Sequence, residues 1–173
     1  MAPRPTPPGP TFDTVTIGNQ IWMSKNLTID DGQGGIYTQT VDYGQGNVVE
    51  YYYTWDAAVR VAASIPGWHL PTRAEWETLA NVVGGTSSAG TKLKSTYGWN
   101  NDGNGTDDYG FAAFPAGDPD LRIGNYANFW TASELSSPDY AYYIQFRYDR
   151  TSMGFTNFRK SNQITIRLVK DAT

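Results

Sequence analysis

The apolar positions of this chain fall into short runs whose period changes along its length, and those changes mark the elements. Thr14–Ile17 and Gln20–Met23 alternate on either side of Gly18-Asn19, the pattern of a two-residue β-hairpin with Val15, Ile17, Ile21 and Trp22 toward the core. Asn26–Gly46 is rich in Gly, Gln and Asp and reads as loop, with a short strand near Ile36–Tyr37. Val48–Tyr53 is β-prone. The period then lengthens. Trp55, Ala58, Val59 and Ala62 recur at one-turn spacing and predict a helix over Trp55–Ser64, capped by Thr54 and ended by Pro66-Gly67.

A second helix is more strongly marked. Pro71 keeps Gly67–Leu70 extended, and Thr72 with Glu75 three residues on forms a capping box. Trp76, Leu79, Ala80 and Val83 give one apolar stripe, and Gly84-Gly85 supplies the left-handed stop. Ala89–Thr96 adds a helical turn. Thr96–Gly117 then carries turn chemistry at nearly every step. A loop of that length is uncommon in a compact domain unless it is functional or braced from inside, and Trp99, Phe111 and Phe114 are its braces.

The remainder is β-rich: Asn128–Ser133, Ala141–Tyr148, Ser152–Phe158 and Ile164–Val169. In the second of these, Tyr142, Ile144, Phe146 and Tyr148 point one way, and Tyr143, Gln145, Arg147 and Asp149 the other. Ile164, Ile166 and Leu168 form the apolar face of the last.

Composition sharpens this α+β picture. At 173 residues the chain makes one domain, over residues 12–173, that buries ~70% of its unfolded surface. Residues 1–11 hold five prolines in their first ten and read as an extended tether or an expression remnant. Twelve Tyr and six Trp against 17% charged residues describe a loop-rich fold held by aromatic packing. Net charge is −4 with no long basic run, so the electrostatic footprint of a nucleic-acid binder is missing. No apolar run approaches the ~20 residues of a membrane span. With no cysteine, thiol nucleophiles, thiolate zinc sites and disulfides are excluded.

Five ordered blocks, IGNQIWMSKNL, GWHLPTRAEWETL, NGTDDYGFAAFPAG, FWTASE and IRLVKD, together resemble the Fibrobacter-type major paralogous domain from about Phe12 to Asp171. The resemblance implies a C-type-lectin-like α+β fold: two main helices packed on mixed antiparallel strands with long irregular loops. It also implies export, often as lipoproteins of gut Bacteroidetes-type bacteria. The fold class includes sulfatase-modifying enzymes and the receptor-binding proteins varied by diversity-generating retroelements, whose variable positions lie toward the C-terminus. The chain departs from the family pattern at Leu168, where Cys is usual, and at His69, where Arg is usual. Fold alone does not carry function.

The candidate chemistry is sparse. His69 is the only histidine, too few imidazoles for a multi-His metal site, and reads as a packing or hydrogen-bonding residue. Glu75 is used by the capping box, Glu77 faces water and Glu134 braces loops. No pair of carboxylates stands in the register that sugar hydrolysis requires. Asn101, Asp102, Asn104, Asp107 and Asp108 crowd one loop; Asp102, Asn104, Asp107 and Asp108 are either hard-cation ligands suited to Ca²⁺ or Asx turns bonded to their own backbone. No cofactor is required. Asp139, Tyr140, Tyr143, Gln145, Arg147, Asp149, Arg150, Asn157, Arg159 and Lys160 fall on turns or outward strand positions. They read as a Tyr/Arg recognition face or as an ordinary solvated strand face. The expectation is an extracellular, non-catalytic binding module for a protein or glycan at a cell surface. The alternatives are a tip subunit of a surface fibre and a carbohydrate-active enzyme.

Overall fold

Gly18 adopts a φ of 62°, and this left-handed turn folds β1 (Thr14–Ile17) onto β2 (Gln20–Met23) with Ile17 opposite Gln20, as the alternation requires. The computed structural model describes residues 1–5 and 9–172; Thr6, Pro7 and Pro8 of the tether and Thr173 lie outside the described residues. β2 pairs with the short C-terminal strand β9 (Val169–Lys170), which pairs in turn with β5 (Trp68–His69). The two ends of the chain are thereby joined in one sheet of order β1-β2-β9-β5.

β3 (Ile36–Asp42) and β4 (Asn47–Tyr53) form a separate long hairpin. β3 is longer than the strand expected near Ile36–Tyr37: Thr38, Thr40 and Asp42 are polar and exposed, and pairing with β4 along its whole length, together with the buried Val41, holds it extended. β6 (Tyr126–Glu134), β7 (Tyr140–Arg147) and β8 (Met153–Arg159) make an antiparallel meander.

Helix α1 (Trp55–Ala63) starts where Thr54 accepts the Ala57 N–H. Its buried face is Ala57, Ala58, Val61 and Ala62, and Val59 is exposed. The expected Trp55/Ala58/Val59/Ala62 stripe is therefore rotated by about one position. Small alanines let the helix lie close to Tyr53 and Ile164, and the bulkier Val59 turns outward. Helix α2 (Arg73–Val82) carries the full capping box: Thr72 Oγ1 accepts the Glu75 N–H at 3.2 Å and Glu75 Oε1 accepts the Thr72 N–H at 3.0 Å. Trp76, Leu79, Ala80 and Val83 are buried as the stripe predicts. Helix α3 (Thr86–Leu93) begins directly after Gly85, three residues before the expected turn.

The helices pack on the antiparallel sheets in a mixed α+β arrangement with two cores. Trp22, Trp76, Phe111, Phe129 and Phe146 interlock edge-to-face or tilted in one. α1, Tyr53, Trp130 and the side chains of Ile164, Ile166 and Leu168 form the other. The segment Ile164–Val169 runs between them. It is not the regular strand expected; it makes single bridges from Ile164 to Tyr53 and from Thr165 to Phe129 before joining β9. Both of its faces are buried, which places Arg167 inside the protein.

The long loop is braced as expected at Trp99 and Phe111, both buried, with Phe114 half-buried. A Cβ at Gly105 would stand 2.5 Å from the carbonyl oxygens of Thr91 and Lys94. Only glycine lets the loop pass this close to the end of α3. No helix among the described residues is long and apolar enough to cross a membrane.

Candidate functional site

Strand parity decides what the β6–β8 sheet displays. Opposite residues share a face, and Arg147, Gln145 and Tyr143 stand opposite Tyr126, Asn128 and Trp130 on β6 and, for the latter two of the three, Gly154 and Thr156 on β8. Tyr140 stands opposite Arg159, and Tyr142 opposite Asn157, on the other face. The ten expected recognition residues therefore do not form one patch. Gln145 and Arg147 lie on one side; Tyr140, Asn157 and Arg159 lie on the other. Asp149 and Arg150 occupy the β7–β8 turn, and Asp139 and Lys160 sit at the opposite end of the strands.

Tyr143 is a correction to its expected outward placement. It is 8% exposed, stacked on Phe158 at 5.1 Å and edge-on to Trp130. The alternation that turned it away from one core turned it into the second. Lys160 is drawn over the Trp55 ring and onto Glu134 at 2.8 Å, and Arg159 lies over Tyr140.

What remains on the Gln145 side is an aromatic and charged cluster. Tyr126 is flanked by the guanidinium groups of Arg122 and Arg147, and Arg147 also holds Asp149 with two hydrogen bonds. Behind it, Gln145 donates to Asn128, and Asn128 donates to Asp118, whose carboxyl is raised by burial. Gly154, having no side chain, leaves a shallow hollow between Gln145, Arg147, Arg150 and Ser152. The turn is held from beneath by Lys94, a buried ammonium that donates to the carbonyls of Arg147 and Arg150 at 3.0 and 3.1 Å.

A second region is deeper, and sequence reasoning missed it. A cleft of about 450 Å³ opens between the chain around Phe12, the segment after β2 and the β3–β4 hairpin. Tyr43, Tyr97 and Phe114 form an aromatic wall, with ring centroids 4.9 Å apart in each contact with Phe114. Val48 and Val49 stand exposed at the mouth. Lys25 pairs with Asp13 at 3.0 Å on the rim.

The floor of the cleft is polar, with Glu50 and Arg167 buried and Asn26 half-buried between them. Glu50 accepts from Asn26 Nδ2 at 2.8 Å and from the Tyr43 hydroxyl at 3.4 Å. Asn26 Oδ1 accepts from Arg167 Nε at 2.8 Å. The Arg167 guanidinium donates onward to the carbonyls of Phe111 and Ala112 and lies against the Phe111 ring. Burial raises the Glu50 carboxyl, which Asn26 and Arg167 oppose, and lowers Arg167 to about 10, so the guanidinium stays charged near neutral pH. Asn26, Tyr43, Glu50 and Arg167 are far apart in sequence, so no local motif announces them. Alternation beside Ile166 and Leu168 assigns Arg167 to the outer side of its strand, so no signal announced that this side is buried as well and that its guanidinium must be met by acceptors.

His69 has partners that the sequence did not suggest. Nε2 lies 2.8 Å from Glu75 and Nδ1 2.5 Å from Asp171, so the imidazolium can donate to both carboxylates. Partial burial opposes the charge, but the two carboxylates outweigh it and raise the His69 pKa. The capping glutamate thus also ties α2 to β5 and to the chain beyond β9. In the acidic loop, Asp107 accepts the Ala112 N–H and Asn104 accepts the Trp99 N–H; each bond spans five residues, so these side chains brace the loop's backbone across its width and do not form the two-residue Asx turns expected. Asp102, Asp107 and Asp108 do not converge, and among the described residues no three His, Cys, Asp or Glu side chains meet at metal-binding distance.

Residues 15–170 match the family described as the Fibrobacter succinogenes major domain. The chain belongs to that family. No curated protein and no solved structure matches it. In this Fibrobacter succinogenes major domain the matched span runs from β1 into β9. It takes in both cores, the sheet cluster and the polar floor of the cleft, whereas the Thr11–Asp13 rim lies before it.

Proposed function

We propose that this Fibrobacter succinogenes major domain is a recognition module that works outside the cell, holding its ligand reversibly in the cleft and making or breaking no bond in it. The observation that carries the reading is the combination of an aromatic wall at Tyr97 and Phe114 with an already hydrogen-bonded floor of half-buried Asn26 and buried Glu50 and Arg167. Concave sites of this size, mostly apolar with a few fixed polar groups, are where small ligands bind. Glu50 is the buried carboxylate among the described lining residues, and both its oxygens are engaged; Asp13 is exposed and paired with Lys25. Hydrolysis of a glycosidic bond uses two carboxyls flanking one bond, so the lining favours holding over cutting. The export implied by the family resemblance supports the extracellular setting. Helices α1 and α2, the shorter α3 and the strand-rich C-terminal half support the C-type-lectin-like reading of the fold.

A second reading places a protein or glycan on the Arg122–Tyr126–Arg147 cluster and the hollow over Gly154, which offer Tyr and Arg anchors. Protein and glycan arrays separate the two. Tyr97→Ala with Phe114→Ala should abolish capture at unchanged circular dichroism, and Arg147→Ala with Arg150→Ala should leave it intact. The reverse result moves the site to the sheet.

A further inference from the structure

We infer that the cleft takes a neutral saccharide unit, seated with one ring face on the Phe114–Tyr97 wall and its hydroxyls toward Glu50 and Asn26. This rests on the cleft reading and adds the ligand class. Charge is the first argument. The lining holds two cations and two anions, and they are matched: Asp13 with Lys25 at the rim, and Glu50 with Arg167 through Asn26 below. A charged ligand would find no free counter-charge and would bring a desolvation cost of its own.

The second argument is the pattern of walls and floor. Phe114 meets Tyr43 at 35° and Tyr97 at 68°, so aromatic surface lines the cleft beside exposed Val48 and Val49. Such surface suits a body that is apolar on its faces. A purely apolar ligand, however, would cover Ser24, Asn26 and Glu50 without pairing their remaining lone pairs and protons, and each buried polar group left unmet weakens binding. A pyranose supplies both requirements in one ring, with C–H groups on its faces and hydroxyls, each donor and acceptor, around its edge.

The third argument is pre-organisation. Glu50 is fixed by Asn26 and Tyr43, and Asn26 is fixed by Arg167, which two backbone carbonyls anchor. The floor oxygens are held before a ligand arrives, which limits the ordering cost of binding.

The test is amide shift mapping of the full ¹⁵N-labelled chain with neutral gluco-, xylo-, manno- and chito-oligosaccharides, a uronic-acid oligomer and a Lys/Arg-containing peptide, each to about 10 mM. One neutral saccharide should give saturable shifts at Asn26, Gln45, Gly46 and Phe114. Phe114→Ala should weaken it about tenfold, and Tyr97→Ala should do so by a similar factor if Phe114→Ala compromises folding. No cleft shift with any neutral saccharide overturns the inference. If the uronic acid or the peptide moves the cleft amides instead, the saccharide class is wrong and the cleft reading survives. Shifts confined to Gln145–Gly154 overturn both.

Discussion

The cleft and the β6–β8 sheet cluster each rest on one buried cation bonded to backbone carbonyls, yet they present opposite kinds of surface. Arg167 donates to Phe111 and Ala112 under the cleft; Lys94 donates to Arg147 and Arg150 under the sheet turn. Above Arg167 the polar groups are enclosed and fixed by one another. Above Lys94 the charges project toward water, where Arg147 is met by Asp149 and the Tyr126 ring. A guanidinium spreads its charge over five donors, and that of Arg167 lies over the Phe111 ring, so it can organise a closed floor, whereas an ammonium makes a point contact that pins a turn. The comparison teaches that exposed Tyr and Arg mark where a protein could bind, while polar groups held in place by one another inside a cleft, with hydrogen-bonding capacity left over, mark where it is built to.

Breaking the two cations should have unequal effects. Arg167→Met strands the Phe111 and Ala112 carbonyls and leaves Glu50 buried without its counter-charge; a loss of about 3 kcal/mol or more in urea unfolding is expected, along with loss of cleft binding. Gly105→Ala forces a methyl onto the carbonyls of Thr91 and Lys94 and should cost about 1–3 kcal/mol, with chemical shift changes along the long loop. Lys94→Met should cost about 1–2 kcal/mol and loosen the Arg147–Arg150 turn, seen as faster amide exchange there and none at Glu50. At the low end, Arg147→Ala removes an exposed pair and should change stability by less than about 1 kcal/mol.

His69 gives a pH handle outside both regions. Its pKa is raised in the folded protein by Glu75 and Asp171 against the opposing effect of burial. The group therefore contributes stability that is fully present below its unfolded pKa and is lost as pH rises through the folded one. The melting temperature of the native protein should exceed that of His69→Gln by most at about pH 6, with the gap closing toward about pH 9. A gap that widens with pH would contradict the two-carboxylate geometry.

Local structure was largely legible in the residues. Gly18-Asn19 placed the first hairpin, and Thr72 with Glu75 placed α2, because turn and cap chemistry act over a few residues. The site was not legible, for two separate reasons. On the sheet, alternation correctly separated Tyr143 from Ile144, but with a core on each side of the meander the outward face was also buried near Tyr143. In the cleft, Asn26, Glu50 and Arg167 meet only through tertiary packing, and nothing near Glu50 in sequence distinguishes it from a solvated strand residue. His69 followed the same rule: its partners are Glu75, six residues on, and Asp171, at the far end of the chain.

A crystal structure of the domain soaked with the saccharide that shifts its amides tests the account most directly. The account predicts a sugar ring against Phe114 and Tyr97 with a hydroxyl within hydrogen-bond reach of Glu50 or Asn26. A ligand seated on the Gly154 hollow beside Arg147 and Arg150, with nothing in the cleft, would contradict it.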